Sequence, residues 1–140
     1  MSTLTAIHPR HALFGAEKPT PMLPVCDHYA GVEERMRKSL ALQAEMAEEA
    51  GRPVFDVTLD LEDGAPVGGE HEHALLVAEL VDSTANVHNR VGARVHDYRH
   101  KRFEDDIDTL IARAGERLAY IMVPKLANVD DARGAIEAIR

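Results

Sequence analysis

From Val54 to Glu62 the side chains alternate strictly: Phe55, Val57, Leu59 and Leu61 fall on one side, and Asp56, Thr58, Asp60 and Glu62 on the other. A period of two predicts a strand with one apolar and one polar face. Val91–His96 repeats the pattern, with Val91, Ala93 and Val95 opposed to Gly92, Arg94 and His96. Leu118–Val123 reads as a mostly apolar strand running into Pro124-Lys125, and Met22–Cys26 as a short buried one. Between these segments the period changes to that of a helix. Val32, Met36, Leu40, Ala47 and Ala50 lie on one face ahead of Gly51, a natural helix stop. Ala74, Val77, Ala78 and Val81 predict a helix that includes His73–Leu80. Phe103, Ile107, Leu110, Ile111 and Ala114 predict another over Phe103–Ala114, with Gly115 as its stop. Asn128 is placed to cap a last helix with Asp130 and Asp131 in its first turn and Val129, Ala132, Ile136 and Ile139 turned inward.

Strand and helix thus alternate throughout, which predicts a parallel sheet with right-handed crossovers. Half of an eight-stranded (β/α) barrel and a small doubly wound sheet both fit that order. The polar faces favour the barrel, because strands covered by helices on both sides read as continuous apolar runs. A complete TIM barrel takes about 250 residues, so a chain of 140 residues is expected to hold only the first four βα units. Residues 1–21 have no clear period and are expected to form an irregular arm, with 22–140 as one structural unit. A half-barrel leaves strand edges unpaired, so association with further chain or with another copy is expected.

Composition narrows the functional classes. Hydrophobic residues at 45% and charged residues at 29% describe a globular protein rather than a disordered one. No apolar run approaches the roughly 20 residues of a membrane helix, and no secretory leader pattern opens the chain. A lone cysteine, Cys26, excludes an internal disulfide and reads as a small core residue. Together these features lead us to expect a cytoplasmic protein without a membrane partner. The formal charge of −8 argues against nucleic acid as a partner, since phosphate neutralisation needs a basic surface. It leaves room for an anionic substrate held by local cations. His71-Glu72-His73 is the only tight histidine cluster, and its spacing suits a solvated helix start better than the i, i+4 chelate of a helical metal site.

Ligands of parallel α/β sheets bind at the C-terminal ends of the strands. The ionisable groups there are Asp27 and His28; Asp60, Glu62 and Asp63; Arg94 and His96; and Lys125. Each also has a plainer explanation. Asp60 could fix the sheet interior, Asp63-Gly64 could be turn chemistry, Arg94 could be a structural partner of Glu62 or Asp60, and Lys125 could be a surface side chain.

The segment Val57-Thr58-Leu59-Asp60-Leu61-Glu62-Asp63-Gly64 resembles the second-strand signature of the citrate lyase β-subunit and malyl-CoA lyase family, within the HpcH/HpaI aldolase / citrate lyase superfamily. Arg94-Val95-His96 resembles its next strand, where asparagine is usual in place of His96, and Met122-Val123-Pro124-Lys125 resembles its L-P-K strand end. The family's opening strand matches either Leu23–Asp27 or Ala12–Gly15. The long helix Val32–Ala50 suggests a divergent subgroup. The resemblance covers roughly residues 22–140. It implies a TIM-barrel lyase that cleaves a C–C bond of a β-hydroxyacyl-CoA thioester such as citryl-, malyl- or citramalyl-CoA, with Mg²⁺ as cofactor and a homo-oligomeric assembly. Glu62, Asp63 and Arg94 would be catalytic, and Arg94, Lys125 and His96 would bind substrate. The family's metal ligands lie on later strands without counterparts in this chain, and Glu62 and Asp63 would stand near the metal rather than on it. The alternatives are a pyruvate-releasing class II aldolase of the same superfamily, a receiver-type signalling domain, and a non-catalytic binding module.

Overall fold

The computed structural model describes residues 25–140; the N-terminal arm and the Met22–Pro24 part of the expected first strand lie outside the described residues. The order is β1 (Val25–Ala30), α1 (Glu33–Ala50), β2 (Phe55–Asp60), α2 (Glu70–Asp82), β3 (Val91–Arg94), α3 (Phe103–Ala114), β4 (Leu118–Met122) and α4 (Val129–Ile139). The four strands form one sheet in the order β1-β2-β3-β4, and every pairing is parallel. That is the sequential order expected of four consecutive βα units. A doubly wound sheet, receiver domains included, reverses direction beside its first strand, and this one does not.

Register explains the two faces. Val57 pairs with Val91 and Leu59 with Ala93, and all four are buried. Right-handed crossovers between successive neighbours bring the helices to this side. Met36 and Leu40 of α1, Val77 and Val81 of α2, and Phe103, Ile107 and Leu110 of α3 complete the core with them. Removing one such side chain, Leu110→Ala for example, costs about 2–5 kcal/mol. The opposite face carries Asp56, Thr58 and Asp60 beside Gly92 and Arg94.

Three local expectations are corrected. β1 runs Val25–Ala30, so Asp27 and His28 lie within the strand rather than at its end. α2 begins at Glu70, directly after left-handed Gly69 (φ 72°), and so takes in the whole His71–His73 cluster. His73 is not a solvated residue of a helix start: its Nε2–H donates to the Asp60 carbonyl at 3.0 Å. On α4 Asp131 and Ala135 are buried and Ile139 packs partly buried against the core as expected, while Val129 and Ile136 are exposed. The cause is a polar and close-packed docking side. Asp131 accepts from Arg99 Nη2 at 2.7 Å and from Ala127 N at 3.1 Å, and Gly134 lies against the Tyr98 ring, where a Cβ would come within 2.3 Å of the hydroxyl. The cap itself is as expected, with Asn128 Oδ1 accepting from Asp131 N at 3.0 Å.

Candidate active site

Asp60, the last residue of β2, organises the C-terminal edge of the sheet. Alternation turns its side chain to the polar face, and the loop that follows folds back over it. Oδ1 accepts from Glu62 N at 3.0 Å and Oδ2 from Gly64 N at 2.7 Å. Arg94, its register partner on β3, adds a two-pronged contact: Nε to Oδ1 at 2.8 Å and Nη2 to Oδ2 at 2.5 Å. Burial alone would raise the Asp60 pKa. The Arg94 hydrogen bonds, the Glu62 and Gly64 amides and the guanidinium charge outweigh it together, and the carboxyl sits below its ordinary value. Gly64 is required by this arrangement, because a Cβ there would lie 2.4 Å from Asp60 Oδ2. Asp60 therefore holds the Glu62–Gly64 turn and the Arg94 guanidinium in place.

Because Asp60 occupies Nε and Nη2, the orientation of the Arg94 guanidinium is set. Its remaining nitrogen, Nη1, lies 3.6 Å from Glu62 Oε2. On the far side of Glu62, Lys125 Nζ contacts Oε1 and reaches Asp63 Oδ1 at 3.0 Å. Glu62 thus bridges the cations of β3 and of the segment after β4. Lys125 holds a left-handed backbone (φ 57°), a conformation that costs a non-glycine residue about 1–3 kcal/mol and clusters at ligand sites. The Glu62 and Asp63 hydrogen bonds raise the Lys125 pKa, and the Lys125 hydrogen bond lowers that of Asp63. The Asp60 hydrogen bonds raise that of Arg94. Glu62, Asp63, Arg94 and Lys125, singled out in the sequence, are thus brought together at one end of the sheet.

Beneath this cluster Tyr120 lies across Gly92, where a Cβ would meet the ring at 2.3 Å, and its hydroxyl reaches Thr58 Oγ1 at 2.6 Å. Beside it, beyond β3, His96 is held by Asp106 of α3 with Nδ1 2.7 Å from Oδ2. Among the described residues its ion-pair partner is Asp106, not the Arg94–Glu62 pair. Sequence reasoning missed Tyr120, Asp106 and His100. Asp106 was concealed because an acid in a first helical turn reads as a complement to the helix dipole. Its i+3 and i+4 neighbours Thr109 and Leu110 are both buried, and that inward position was the available signal.

The carboxylates here do not suit a divalent ion. Mg²⁺ takes one or two carboxylates as direct ligands, and those of Asp60 and Glu62 already face Arg94 and Lys125. Among the described residues no group of three or more His, Cys, Asp or Glu side chains could hold a metal. What the cluster offers is two cations in fixed positions, backed by buried or partly buried acids, which is an arrangement for binding and stabilising oxyanions.

No protein-family model and no curated protein matches the chain. Among solved structures it is similar to the crystal structure of a citrate lyase from Burkholderia xenovorans LB400, with 47% sequence identity and a TM-score of 0.76. The match covers 84% of this chain and 35% of that one, so the chain spans about a third of that protein's length. No helix among the described residues is long and apolar enough to cross a membrane.

Proposed function

Since the chain belongs to the citrate lyase family, we propose that it forms part of a carbon–carbon lyase acting on a β-hydroxyacyl-CoA thioester of the citryl, malyl or citramalyl type. The observation that carries this reading is the clamped Arg94. A guanidinium whose Nε and Nη2 are fixed on buried Asp60 keeps Nη1 at the C-terminal end of the sheet. Cleavage converts the β-hydroxyl into a carbonyl and leaves an enolate on the thioester. Arg94 Nη1 stabilises that enolate oxygen, gaining most where water is excluded. Lys125, with its ammonium at the outer side of Glu62, binds the distal carboxylate of the acyl group. Glu62 holds both cations at a fixed separation, and Asp63 restrains Lys125 from the solvent side.

Mg²⁺ is the cofactor that the family resemblance implies, and the described residues supply no ligand set for it. In this reading Glu62 and Asp63 act on the two cations. The strands form the first part of a barrel whose closure uses additional chain, and the assembly is a cytoplasmic homo-oligomer.

The test is incubation of the full-length protein with citryl-, malyl- and citramalyl-CoA in the presence of Mg²⁺, with acetyl-CoA as the readout. Arg94→Lys keeps the charge but loses the fork that grips Asp60, so no donor is held in place for the enolate oxygen. We expect it to lower kcat by about 10²–10³-fold, the scale of losing one oxyanion donor. Absence of acetyl-CoA from all three thioesters would rule out this substrate class.

A further inference from the structure

One residue past the end of β3, Val95 N still donates to Met122 O at 3.1 Å. Val95 is buried in the core, and His96, two residues and about 7 Å beyond Arg94 along the chain, lies past the end of the strand, where Asp106 of α3 meets it. The imidazole is held from below. Asp106, 1% exposed, brings a single oxygen, Oδ2, to 3.0 Å from His96 N and 2.7 Å from His96 Nδ1. An ionised carboxylate only accepts, so in the neutral ring Nδ1 carries the proton and Nε2 the lone pair. His100 stacks on the ring at 4.2 Å and 10°. Its own Nδ1 accepts from Arg102 N at 3.2 Å, which makes it a neutral partner. A tie between β3 and α3 needs only the amide bond to Asp106. The bond to the imidazole goes further and selects a tautomer, as a carboxylate does for a working histidine.

We infer that His96 is a proton-transfer group of this site, with Nε2 as the reacting atom, Asp106 as its positioning residue and His100 as the wall that fixes the ring plane. The inference rests on the lyase reading above. The step closes within the substrate. Nε2 takes the β-hydroxyl proton, and the O–H electron pair becomes the second bond of the new carbonyl. The Cα–Cβ pair passes to the thioester as an enolate, and Nε2 then returns the proton to Cα. The products are a carbonyl compound and an acyl thioester, with no oxidant or further reactant. While the ring carries the proton, Asp106 balances its charge.

Two measurements on the full-length protein test this. In ¹⁵N NMR of the imidazole, wild-type His96 is expected to show a protonated Nδ1 and an unprotonated Nε2, and Asp106→Asn to shift the ring toward a mixed tautomer population. In kinetics, His96→Asn is expected to slow both thioester cleavage and exchange of the acetyl-CoA methyl protons with D₂O by about 10²–10⁴-fold, with KM within a few-fold of wild type. Should that variant not fold, His96→Gln, which keeps a side-chain N–H, carries the same comparison. Wild-type rates in the histidine variant, or a wild-type tautomer with the proton on Nε2, would overturn the inference alone. A wild-type protein that cleaves none of the thioesters overturns the lyase reading and this inference with it.

Discussion

Four donors converge on the Asp60 carboxylate: the Glu62 and Gly64 amides and two nitrogens of Arg94. Such a group is expensive to neutralise, because Arg94 would keep its charge in a largely buried place with only the more distant Glu62, 3.6 Å from Nη1, to balance it. Asp60→Asn is expected to destabilise the fold by about 3–5 kcal/mol, the range for breaking a buried pair from one side, measured as a shift in urea midpoint. The pH dependence has a definite sign. The folded-state pKa lies below the ordinary carboxyl value of 3.8, so the Asp60 contribution is complete above that value and is lost as pH falls through the lower folded one. Urea midpoints followed from about pH 5 downward should therefore fall more steeply for wild type than for Asp60→Asn; equal slopes would remove Asp60 from this role. At this scale the acids and cations at strand ends were legible, because alternation and strand termination are local. The buried state of Asp106 was not. It depends on where β3 meets α3, and nothing within four residues of Asp106 carries that information except its phase on the helix.

Helices and strands were read through their periods, and the agreement is closest where the period is strong. α3 has the bounds Phe103–Ala114 in both sequence and structure, although Ile111, assigned to its inner face, is half exposed. α4 shows the opposite case. A clean apolar stripe pointed to Val129 and Ile136, yet packing chose the face with Asp131 and Gly134, because a salt bridge to Arg99 and the Tyr98 ring dock there. β3 depends on a residue that periodicity barely registers. Gly92 leaves the space that Tyr120 occupies to reach Thr58, joining β4 to β2 across the strand between them. Gly92→Ala must displace the ring, and the Thr58 hydrogen bond resists a simple swing. The expected cost is about 1–3 kcal/mol, typical of overpacking. The same substitution made in a Tyr120→Ala background should cost clearly less, and equal costs in a thermal-unfolding double-mutant cycle would show that the contact does not matter.

On the scale of the molecule, the sheet has one face covered by helices and one that carries charge. The polar face has three acids at its rim, Asp60, Glu62 and Asp63, against the two cations Arg94 and Lys125, which leaves a formal charge of −1. A divalent ion would gain little from so small an excess, and to reach Asp60 or Glu62 it would have to displace Arg94 or Lys125. Asp63 is exposed and shares the Lys125 ammonium with Glu62, so an ion bound by both acids would have to displace that ammonium. Mg²⁺ also gives up its waters reluctantly, so a single exposed carboxylate holds it weakly. Calorimetric titration of the 140-residue chain with Mg²⁺ is therefore expected to show no micromolar binding, and the chain by itself is expected to release no acetyl-CoA from the thioesters. Micromolar binding that vanished in Glu62→Gln or Asp63→Asn would place the metal on these residues, and Arg94 and Lys125 would then have to move aside for it. Binding that persisted in both variants would point instead to ligands outside residues 25–140. In the proposed reading, the charge ladder at the end of this sheet holds two cations toward an anionic substrate, and its acids serve that task.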